Sequence, residues 1–378
     1  MKKKILITYA MYGNGHRAVA EYIEKYFKKQ DPELEILAID LLKYSMPVLG
    51  TLSQKITDFF LLKFPAGWST IYNVFDHKIS SEVASYMSSS LFRNKRMKKV
   101  ITDFDPDLTI STHFFGSSLI ELYNRKGYIN TKLITVVTDY EAHSLWLKGY
   151  KDEEAIVVGD KDEVKYLVKK GVDPKIIKPI GIPIHPVSSN DFDPKIAIKK
   201  YGFSGERPIC LFFGGGGNGG VLSLPYIKEV IKSNLNIDFI YVAGKNENSK
   251  AKVDEWIEEQ GAKNIRTLGY VNNVPELLQM CDFVVSKPGG AQTTESLYFK
   301  KPILMINCSG GQEVGNYKYF ERMGYGKRFR FPFTFMSYMK EISKHPKTLD
   351  KMRKNMEKNK SEKAMEKLYK IATTALKK

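Results

Sequence analysis

A histidine directly follows a Gly-Asn-Gly turn near the start of the chain, where residues 12–16 read "YGNGH". The turn comes after residues 4–10, "KILITYA", an apolar run with the length of a buried strand. Glycines allow a backbone to approach a ligand closely, and a helix beginning after such a turn presents free N–H groups. Two chemistries fit this pattern, since the turn either binds a phosphate or directs His16 at a substrate.

A stronger constellation occupies residues 286–296, "SKPGGAQTTES", directly after the apolar run "DFVVS". Its glycines predict a turn, and the residues that follow begin a helix whose N-terminal amides and dipole favour an anion. Thr293 and Thr294 add hydroxyl donors, while Glu295 can accept from a ribose or sugar diol. Gln312 and Glu313 follow the next strand and offer the amide and carboxylate groups that hexose hydroxyls require.

Two further glycine and aspartate patterns are less specific. Residues 214–220, "GGGGNGG", fit neither a P-loop nor a clean dinucleotide fingerprint, and a tight strand-to-helix turn is the alternative. Residues 102–107, "TDFDPD", contain a DxD, which in some glycosyltransferases binds a divalent ion bridging the diphosphate. Because this DxD lies far in sequence from the candidate nucleotide residues, we interpret it as an aspartate turn and expect no catalytic metal.

The elements that must position these residues alternate between apolar strands and helix-length charged segments along the whole chain. This alternation predicts an α/β protein with parallel sheets covered on both faces. Residues 183–200 are rich in Pro, Ser, Asn and Asp and separate two strand series. We predict domains at 1–185 and 186–335, with amphipathic basic helices at 336–378 closing the fold and a ligand cleft between the domains.

Composition restricts the partners and the compartment. The net charge is +17, yet no zinc-finger, RNP-like or helix-turn-helix pattern is present, so an anionic membrane surface is preferred over nucleic acid; a generic solvated basic surface is the alternative. Residues 42–100 combine aromatic and aliphatic side chains with a basic cluster, which is typical of an interfacial segment; a core helix with a charged face is the alternative. No transmembrane run or cleavable leader is expected, and Cys210, Cys281 and Cys308 are interpreted as buried thiols.

Six motifs together resemble one enzyme family. They are "YGNGH", "TDYEAHSLW", "GIPIHP", "FFGGGGNGG", "SKPGGAQTTES" and "GQEVGN", in order over about residues 5–325. The set is similar to the diacylglycerol glycosyltransferases of glycosyltransferase family 28, which comprise processive diacylglycerol β-glucosyltransferases and monogalactosyldiacylglycerol synthases. The resemblance implies a GT-B fold: two Rossmann-like doubly wound domains, of which the first binds the lipid acceptor and the second the nucleotide sugar.

The resemblance also implies roles for individual residues. His16 is the general base, and Asp139 either orients that base or accepts the proton itself. The implied acceptor-binding residues are Gly13, Asn14, Gly15, His143 and Trp146. The implied donor-binding residues are Gly214, Gly215, Gly216, Gly217, Asn218, Lys287, Gly289, Gly290, Ala291, Gln292, Thr293, Thr294, Glu295, Gln312, Glu313 and Asn316, with Tyr270 and Val271 near the uracil.

The expected reaction is an inverting transfer of glucose from UDP-glucose to 1,2-diacylglycerol, and the family includes processive members that add further sugars. The transfer would take place at the cytoplasmic face of the cell membrane, with the protein bound peripherally. The UDP-sugar is a substrate, and no cofactor or nucleic acid is expected. The alternatives are UDP-galactose as donor, transfer of N-acetylglucosamine to a polyprenyl-linked cell-wall precursor, and a nucleotide-sugar-binding or membrane-associated protein without activity.

Overall fold

The structure is a computed structural model that describes residues 2–11, 15–45, 76, 94–147, 153–185, 192–215, 219–308 and 310–377. The chain divides into two compact units. The first comprises residues 1–185, 310–315 and 360–378, and the second comprises residues 186–309 and 316–359. Residues 336–378, grouped as one segment in the sequence analysis, are thus divided between the two units.

A six-stranded parallel sheet forms the centre of the first unit, in the order β2-β1-β3-β4-β5-β6. All four residues of β3 are buried, as expected for a strand covered on both faces. The strands are β1 (Lys4–Tyr9), β2 (Glu35–Asp40), β3 (Leu108–Ser111), β4 (Lys132–Val136), β5 (Glu153–Val157) and β6 (Ile177–Lys178). The helices are α1 (Gly15–Gln30), α2 (Leu41–Ser45), α3 (Lys95–Phe104), α4 (Phe114–Arg125) and α5 (Lys161–Lys169).

The second unit repeats this arrangement with a six-stranded parallel sheet in the order β12-β11-β10-β7-β8-β9. The strands are β7 (Ile209–Phe213), β8 (Asp238–Val242), β9 (Ile265–Leu268), β10 (Phe283–Ser286), β11 (Ile303–Met305) and β12 (Gly326–Arg328). The helices are α6 (Pro194–Lys200), α7 (Gly219–Lys232), α8 (Glu247–Gln260), α9 (Val274–Met280), α10 (Gly290–Tyr298), α11 (Gln312–Arg322), α12 (Pro332–Lys344) and α13 (Asp350–Glu357). The predicted doubly wound α/β fold is confirmed.

The strand order reverses once in each sheet, between β1 and β3 in the first and between β7 and β10 in the second. Ligands of doubly wound sheets bind at such reversals, outside the carboxyl ends of the strands. Each unit therefore offers one candidate binding edge.

The final helix, α14 (Ala364–Lys377), returns to the first unit. The ring of Tyr369 contacts that of Phe27 on α1 edge-on, with the ring centroids 5.0 Å apart. The Lys132 ammonium group donates to the carbonyl oxygen of Ala375 at 2.6 Å. The core of the first unit therefore includes side chains from both ends of the sequence.

The aspartates of the DxD segment lie near the amino ends of the strands in the first sheet. This is the sheet edge opposite the carboxyl ends, where ligands of doubly wound sheets bind. Asp107 accepts the backbone N–H of Lys4 at 2.8 Å, and Asp103 pairs with Lys99 at 2.8 Å. Asp105 ends α3 with a φ of 47°. These contacts support the interpretation of this segment as an aspartate turn.

The expected interfacial segment at residues 42–100 is only partly described in the structure. Residues 46–75 and 77–93, most of the expected interfacial segment, lie outside the described residues. Of the basic cluster that follows, Lys98 lies over the ring of Tyr128 at 3.2 Å and Arg96 over that of Tyr44 at 5.3 Å. None of the described helices has both the length and the apolar character needed to cross a bilayer.

No disulfide joins any two of the three cysteines, and they differ in exposure. Cys210 and Cys281 are buried, whereas Cys308 is only partly buried. Burial raises the pKa of the Cys281 thiol to about 12. The interpretation as buried thiols is therefore confirmed for Cys210 and Cys281 and holds only partly for Cys308.

Candidate active site

His16 lies in the first turn of α1, at the reversal between β1 and β3. Its Nδ1 is 2.8 Å from the backbone carbonyl oxygen of Thr112 and 2.8 Å from the hydroxyl oxygen of Thr138. A carbonyl oxygen can only accept, so Nδ1 carries the proton and donates it to Thr112. The neutral ring therefore holds its lone pair on Nε2, the atom that is available to take a proton.

The environment of His16 favours this neutral form. Burial lowers the pKa of the imidazole below 6.5, while the Asp139 carboxylate and the hydrogen bond to Thr112 oppose that shift. Burial is the main cause of the shift in this pKa. Near pH 7 the ring is consequently a base rather than a cation.

Asp139 follows β4 and is buried at the same sheet edge. Its negative charge stabilises a protonated His16, as the opposing shift shows. A carboxylate in this position assists the step in which the imidazole accepts a proton. The structure thus brings together the two residues that the sequence singled out as catalytic.

His113, which the sequence analysis did not select, is the N-cap of α4. Its Nδ1 accepts the backbone N–H of Phe115 at 3.2 Å, and its ring meets that of His16 edge-on with the centroids 4.6 Å apart. Burial, followed by the charge of His16, lowers its pKa well below 6.5. Two neutral imidazoles therefore lie side by side at this edge.

Close packing of α4 on the sheet places His113. A Cβ on Gly116 would lie 2.2 Å from the Thr8 hydroxyl oxygen and 2.3 Å from that of Ser111. Only glycine fits here, so the first turn of α4 approaches β1 and β3 directly. The Ser111 hydroxyl also donates to the carbonyl oxygen of His113 at 2.7 Å, which fixes the cap.

The acceptor-side residues of the "TDYEAHSLW" motif have different surroundings. Trp146 is buried, and its ring centroid lies 6.3 Å from those of both His16 and His113. His143 is also buried; its Nδ1 accepts the N–H of Leu145 at 3.1 Å, and its Nε2 lies 3.8 Å from a carboxylate oxygen of Asp76. Trp146 thus belongs to the histidine cluster, whereas His143 stabilises the loop.

Asp76 holds this loop from a distant part of the chain. Its carboxylate accepts the N–H of Ser144 at 3.0 Å and the hydroxyl of Tyr166, and its carbonyl oxygen accepts from Lys170 at 2.7 Å.

Of the other predicted acceptor-binding residues, Gly15 begins α1, while Gly13 and Asn14 lie outside the described residues.

In the second unit, residues 287–290 form a tight turn after β10. The N–H of Gly289 donates to the carbonyl oxygen of Lys287 at 2.9 Å, and the Asn316 amide donates to that of Pro288 at 3.0 Å. Gly289 is the N-cap of α10 without a side-chain cap, and among the described residues no atom lies within 4 Å of where its Cβ would be. The amino end of α10, which has no side-chain cap, is therefore the candidate anion site of this unit.

The side chains that follow serve α10 itself. The Thr293 and Thr294 hydroxyls donate to the Gly290 carbonyl oxygen at 3.0 and 2.6 Å, and both residues are buried. Such back-bonding satisfies these hydroxyls within the helix, and the role of Thr293 and Thr294 in donor binding stays a prediction. The Gln292 side-chain oxygen accepts the Ser286 hydroxyl at 2.6 Å. Ala291 and Glu295 are buried in the same helix.

The glycine run after β7 lies on the other side of the strand reversal. A Cβ on Gly214 would lie 2.4 Å from the Tyr241 hydroxyl oxygen, and Gly215 has a φ of 95°, so both positions require glycine. Gly216, Gly217 and Asn218 lie outside the described residues. Gly214, Gly215 and the turn at 287–290 therefore flank one candidate phosphate site.

The remaining predicted donor residues lie on α11 and in the segment after β9. Gln312 and Glu313 begin α11 but belong to the first unit, whereas Asn316 of the same helix belongs to the second. Tyr270 is exposed, with the Lys245 ammonium group 5.1 Å from its ring centroid. Val271 is partly buried beside it.

Two family models match the chain in succession. The first, described as monogalactosyldiacylglycerol (MGDG) synthase, matches residues 16–184, and the second, glycosyl transferases group 1, matches residues 225–363. A processive diacylglycerol beta-glucosyltransferase from Bacillus mycoides (strain KBAB4) is 30% identical over 328 residues, which are 85% of this chain and 80% of the relative.

Solved structures show the same two-unit fold. The S. aureus MnaA–UDP structure has a TM-score of 0.61 at 13% identity and covers 97% of this chain and 94% of its own. Anabaena HepE in complex with UDP and glucose has a TM-score of 0.57 at 10% identity, with coverage of 98% and 100%. At these identities the likeness concerns the fold, and the two doubly wound units form the GT-B fold expected from the sequence.

Proposed function

Because the chain belongs to the diacylglycerol glycosyltransferases, the family of the processive diacylglycerol beta-glucosyltransferases and monogalactosyldiacylglycerol synthases, we propose that it transfers glucose from UDP-glucose to the free hydroxyl of 1,2-diacylglycerol. The observation that carries the proposal is the Nδ1 of His16 at 2.8 Å from the Thr112 carbonyl oxygen. This contact leaves Nε2 as a neutral base at the binding edge of the first unit.

The proposed reaction is a single displacement with inversion. Nε2 of His16 takes the proton of the glycerol hydroxyl while the hydroxyl oxygen bonds to C1 of glucose. The bond between C1 and the UDP oxygen breaks, and its electron pair leaves with UDP. Asp139 stabilises the imidazolium that forms, in keeping with its effect on the pKa of His16.

The leaving diphosphate is assigned to the second unit. The N-terminal amides of α10, the Gly214 and Gly215 backbone and Lys287 are the groups we propose for its charge. This assignment uses no metal ion. It rests on the open space at Gly289 and on the local contacts of the DxD aspartates at the opposite edge of the first sheet.

UDP-galactose is the second candidate donor, favoured by the MGDG synthase model. That match covers residues 16–184 of the first unit, whereas the sugar is expected in the second. The glucosyltransferase relative extends over 85% of the chain, so glucose is preferred. We further propose that the product serves as acceptor for more glucose, and that the protein works peripherally on the cytoplasmic face of a membrane.

The test is an assay with diacylglycerol in mixed micelles and two donors together, of which only UDP-glucose carries a ¹³C-labelled hexose. The mass of the lipid product identifies the donor and the number of sugars, and the anomeric coupling in its NMR spectrum identifies the linkage. A β-linked labelled hexose is expected. Absence of any hexosyl lipid with either donor would refute the function.

The base is tested separately with His16→Gln. Loss of a general base lowers kcat by roughly 10²–10⁴-fold, and the exposed His345→Gln is the matched control that should retain full activity. A folded His16→Gln protein with near-normal kcat would disprove the assignment of the base.

A further inference from the structure

The second unit exposes a pair of phenylalanines at the start of α12. Phe333 is 71% exposed, the highest value among the large apolar side chains that the structure describes, and Phe331 is 51% exposed. Their rings stack with centroids 5.8 Å apart at an interplanar angle of 15°. Exposed aromatic pairs of this kind mark interaction sites, because water solvates their faces poorly.

An apolar groove of about 950 Å³ lies between α7, α8 and α12, and Phe333 forms part of its lining. Its walls include Leu224, Trp256 and Met336, and its rim includes Val221, which is 55% exposed. The pair and the groove together form the Phe331/Phe333 surface, which no described part of the chain covers.

The charges around this surface are mainly positive. Lys228 and Lys340 line the groove, and the ammonium group of Lys228 lies 4.7 Å from the Trp256 ring centroid. Glu229 also lines it but lies 3.7 Å from Lys232, which offsets its charge. The exposed Arg330 directly precedes Phe331. Aromatic side chains beside basic ones match the boundary between anionic headgroups and acyl chains.

The Phe331/Phe333 surface lies at the candidate binding edge of its sheet, where the carboxyl ends of the strands are. Phe331 follows the carboxyl end of β12, and Val221 lies in the first turn of α7, after the carboxyl end of β7. The turn at 287–290 follows β10 at this same edge, since all six strands are parallel. A partner held by this surface therefore lies on the side of the second unit that bears the candidate phosphate site.

We propose that the Phe331/Phe333 surface docks the second unit on an anionic lipid bilayer. The phenylalanines insert at the level of the headgroups, and Lys228, Lys340 and Arg330 meet lipid phosphates. The choice of a bilayer rests on this charge pattern, on the net charge of +17 and on the proposed function, whose acceptor lipid resides in a membrane. The sequence had indicated residues 42–100 of the first unit instead.

The test is co-sedimentation of the full chain with phosphatidylcholine vesicles that contain or lack phosphatidylglycerol. Phe333→Ser is expected to lower the partition coefficient about tenfold, equivalent to ~1.4 kcal/mol for a partly inserted ring. Ile196→Ser, which replaces a 55% exposed apolar side chain on α6 of the same unit, is the matched control and leaves binding unchanged.

A charge variant separates the two contributions. Lys340→Glu should weaken binding to phosphatidylglycerol vesicles by about fivefold per unit of charge changed, whereas Lys263→Glu, at an exposed site before β9, should not. Thermal melting of each variant confirms folding, which Phe333→Ser preserves because the replaced ring is exposed.

The outcomes distinguish this surface from the enzymatic function. If the wild type binds anionic vesicles and Phe333→Ser binds them equally well, the docking proposal is wrong even where glucosyl transfer is intact. If vesicle binding depends on Phe333 but no hexosyl lipid forms, the surface stands and the proposed function fails. Concentration-dependent dimerisation that Phe333→Ser abolishes, without vesicle binding, would make this a contact between copies of the chain and overturn the proposal.

Discussion

Replacing Gly116 with alanine tests how tightly the fold holds the histidine cluster. The new Cβ would lie 2.2 Å from the Thr8 hydroxyl oxygen, 2.3 Å from that of Ser111 and 3.0 Å from the Thr8 Cβ. The two hydroxyls are buried and hydrogen-bonded to each other at 2.9 Å, so neither can rotate away without loss. Overpacking of this kind destabilises a fold by about 1–3 kcal/mol.

The first turn of α4 must therefore move away from the sheet, and His113 moves with it. For a unit of this size, each kcal/mol lowers the melting temperature by roughly 2–4 °C. A displacement near 1 Å at a reacting centre lowers kcat by up to about 100-fold. We expect Gly116→Ala to fold, to melt several degrees lower and to lose activity out of proportion to its stability.

The assay combines calorimetric melting with kcat for hexosyl transfer at a temperature where the variant is folded. Gly269→Ala is the control for stability, since its Cβ would meet atoms only at 3.8 and 3.9 Å. In a Thr8→Ala/Ser111→Ala background, which removes both partners of the buried hydrogen bond, the effect of Gly116→Ala should shrink by more than half. Wild-type melting and turnover of Gly116→Ala, or an undiminished effect in that background, would refute this reasoning.

Three further predictions concern protons at the same cluster. Asp139→Asn should move the acidic limb of the kcat/KM profile to lower pH, because Asp139 raises the pKa of His16; a move to higher pH would contradict the assignment. Burial lowers the pKa of His16 and His113 below 6.5 in the folded chain. As the pH falls, the two imidazoles therefore become protonated in the unfolded chain at a higher pH than in the folded chain. The free energy of unfolding should consequently fall as the pH drops below about 6.5. His113→Asn, which keeps a capping acceptor, should weaken this dependence in denaturant titrations, and an unchanged slope would count against it. Thr138→Val removes one hydrogen bond to His16, worth ~0.5–1.5 kcal/mol, while the Thr112 carbonyl oxygen still fixes the tautomer of the His16 ring. The kcat of this variant should therefore fall by no more than about tenfold. A loss equal to that of His16→Gln would show that Thr138 has a larger role.

The alternation of apolar strands and charged helices was sufficient to predict both doubly wound units. His16 and Asp139 were found because each follows an apolar run, and the carboxyl ends of parallel strands share one edge. His113 obeys the same rule after β3, and the sequence "STH" contained the signal. It was missed because only the folded chain shows that its ring reaches that of His16.

Other side chains could not be assigned from sequence, because their partners are tertiary. Thr293 and Thr294 look like ligand donors in a glycine-rich turn, yet their hydroxyls bond to the Gly290 carbonyl oxygen one turn earlier. His143 has a motif position typical of acceptor binding, but it lies against Asp76, which is remote in sequence. Local pattern cannot reveal such competition between a ligand and the protein itself.

The return of α14 to the first unit bears on how the protein is synthesised. Buried Met365, Leu368 and Ala372 belong to that helix, so the first unit lacks part of its core until the ribosome has translated the whole second unit. Co-translational folding usually completes the N-terminal domain first. Here the two segments of the second unit are both translated before α14, so the second unit can fold before the first. The unit that bears His16 then gains its full core only after α14 has been translated.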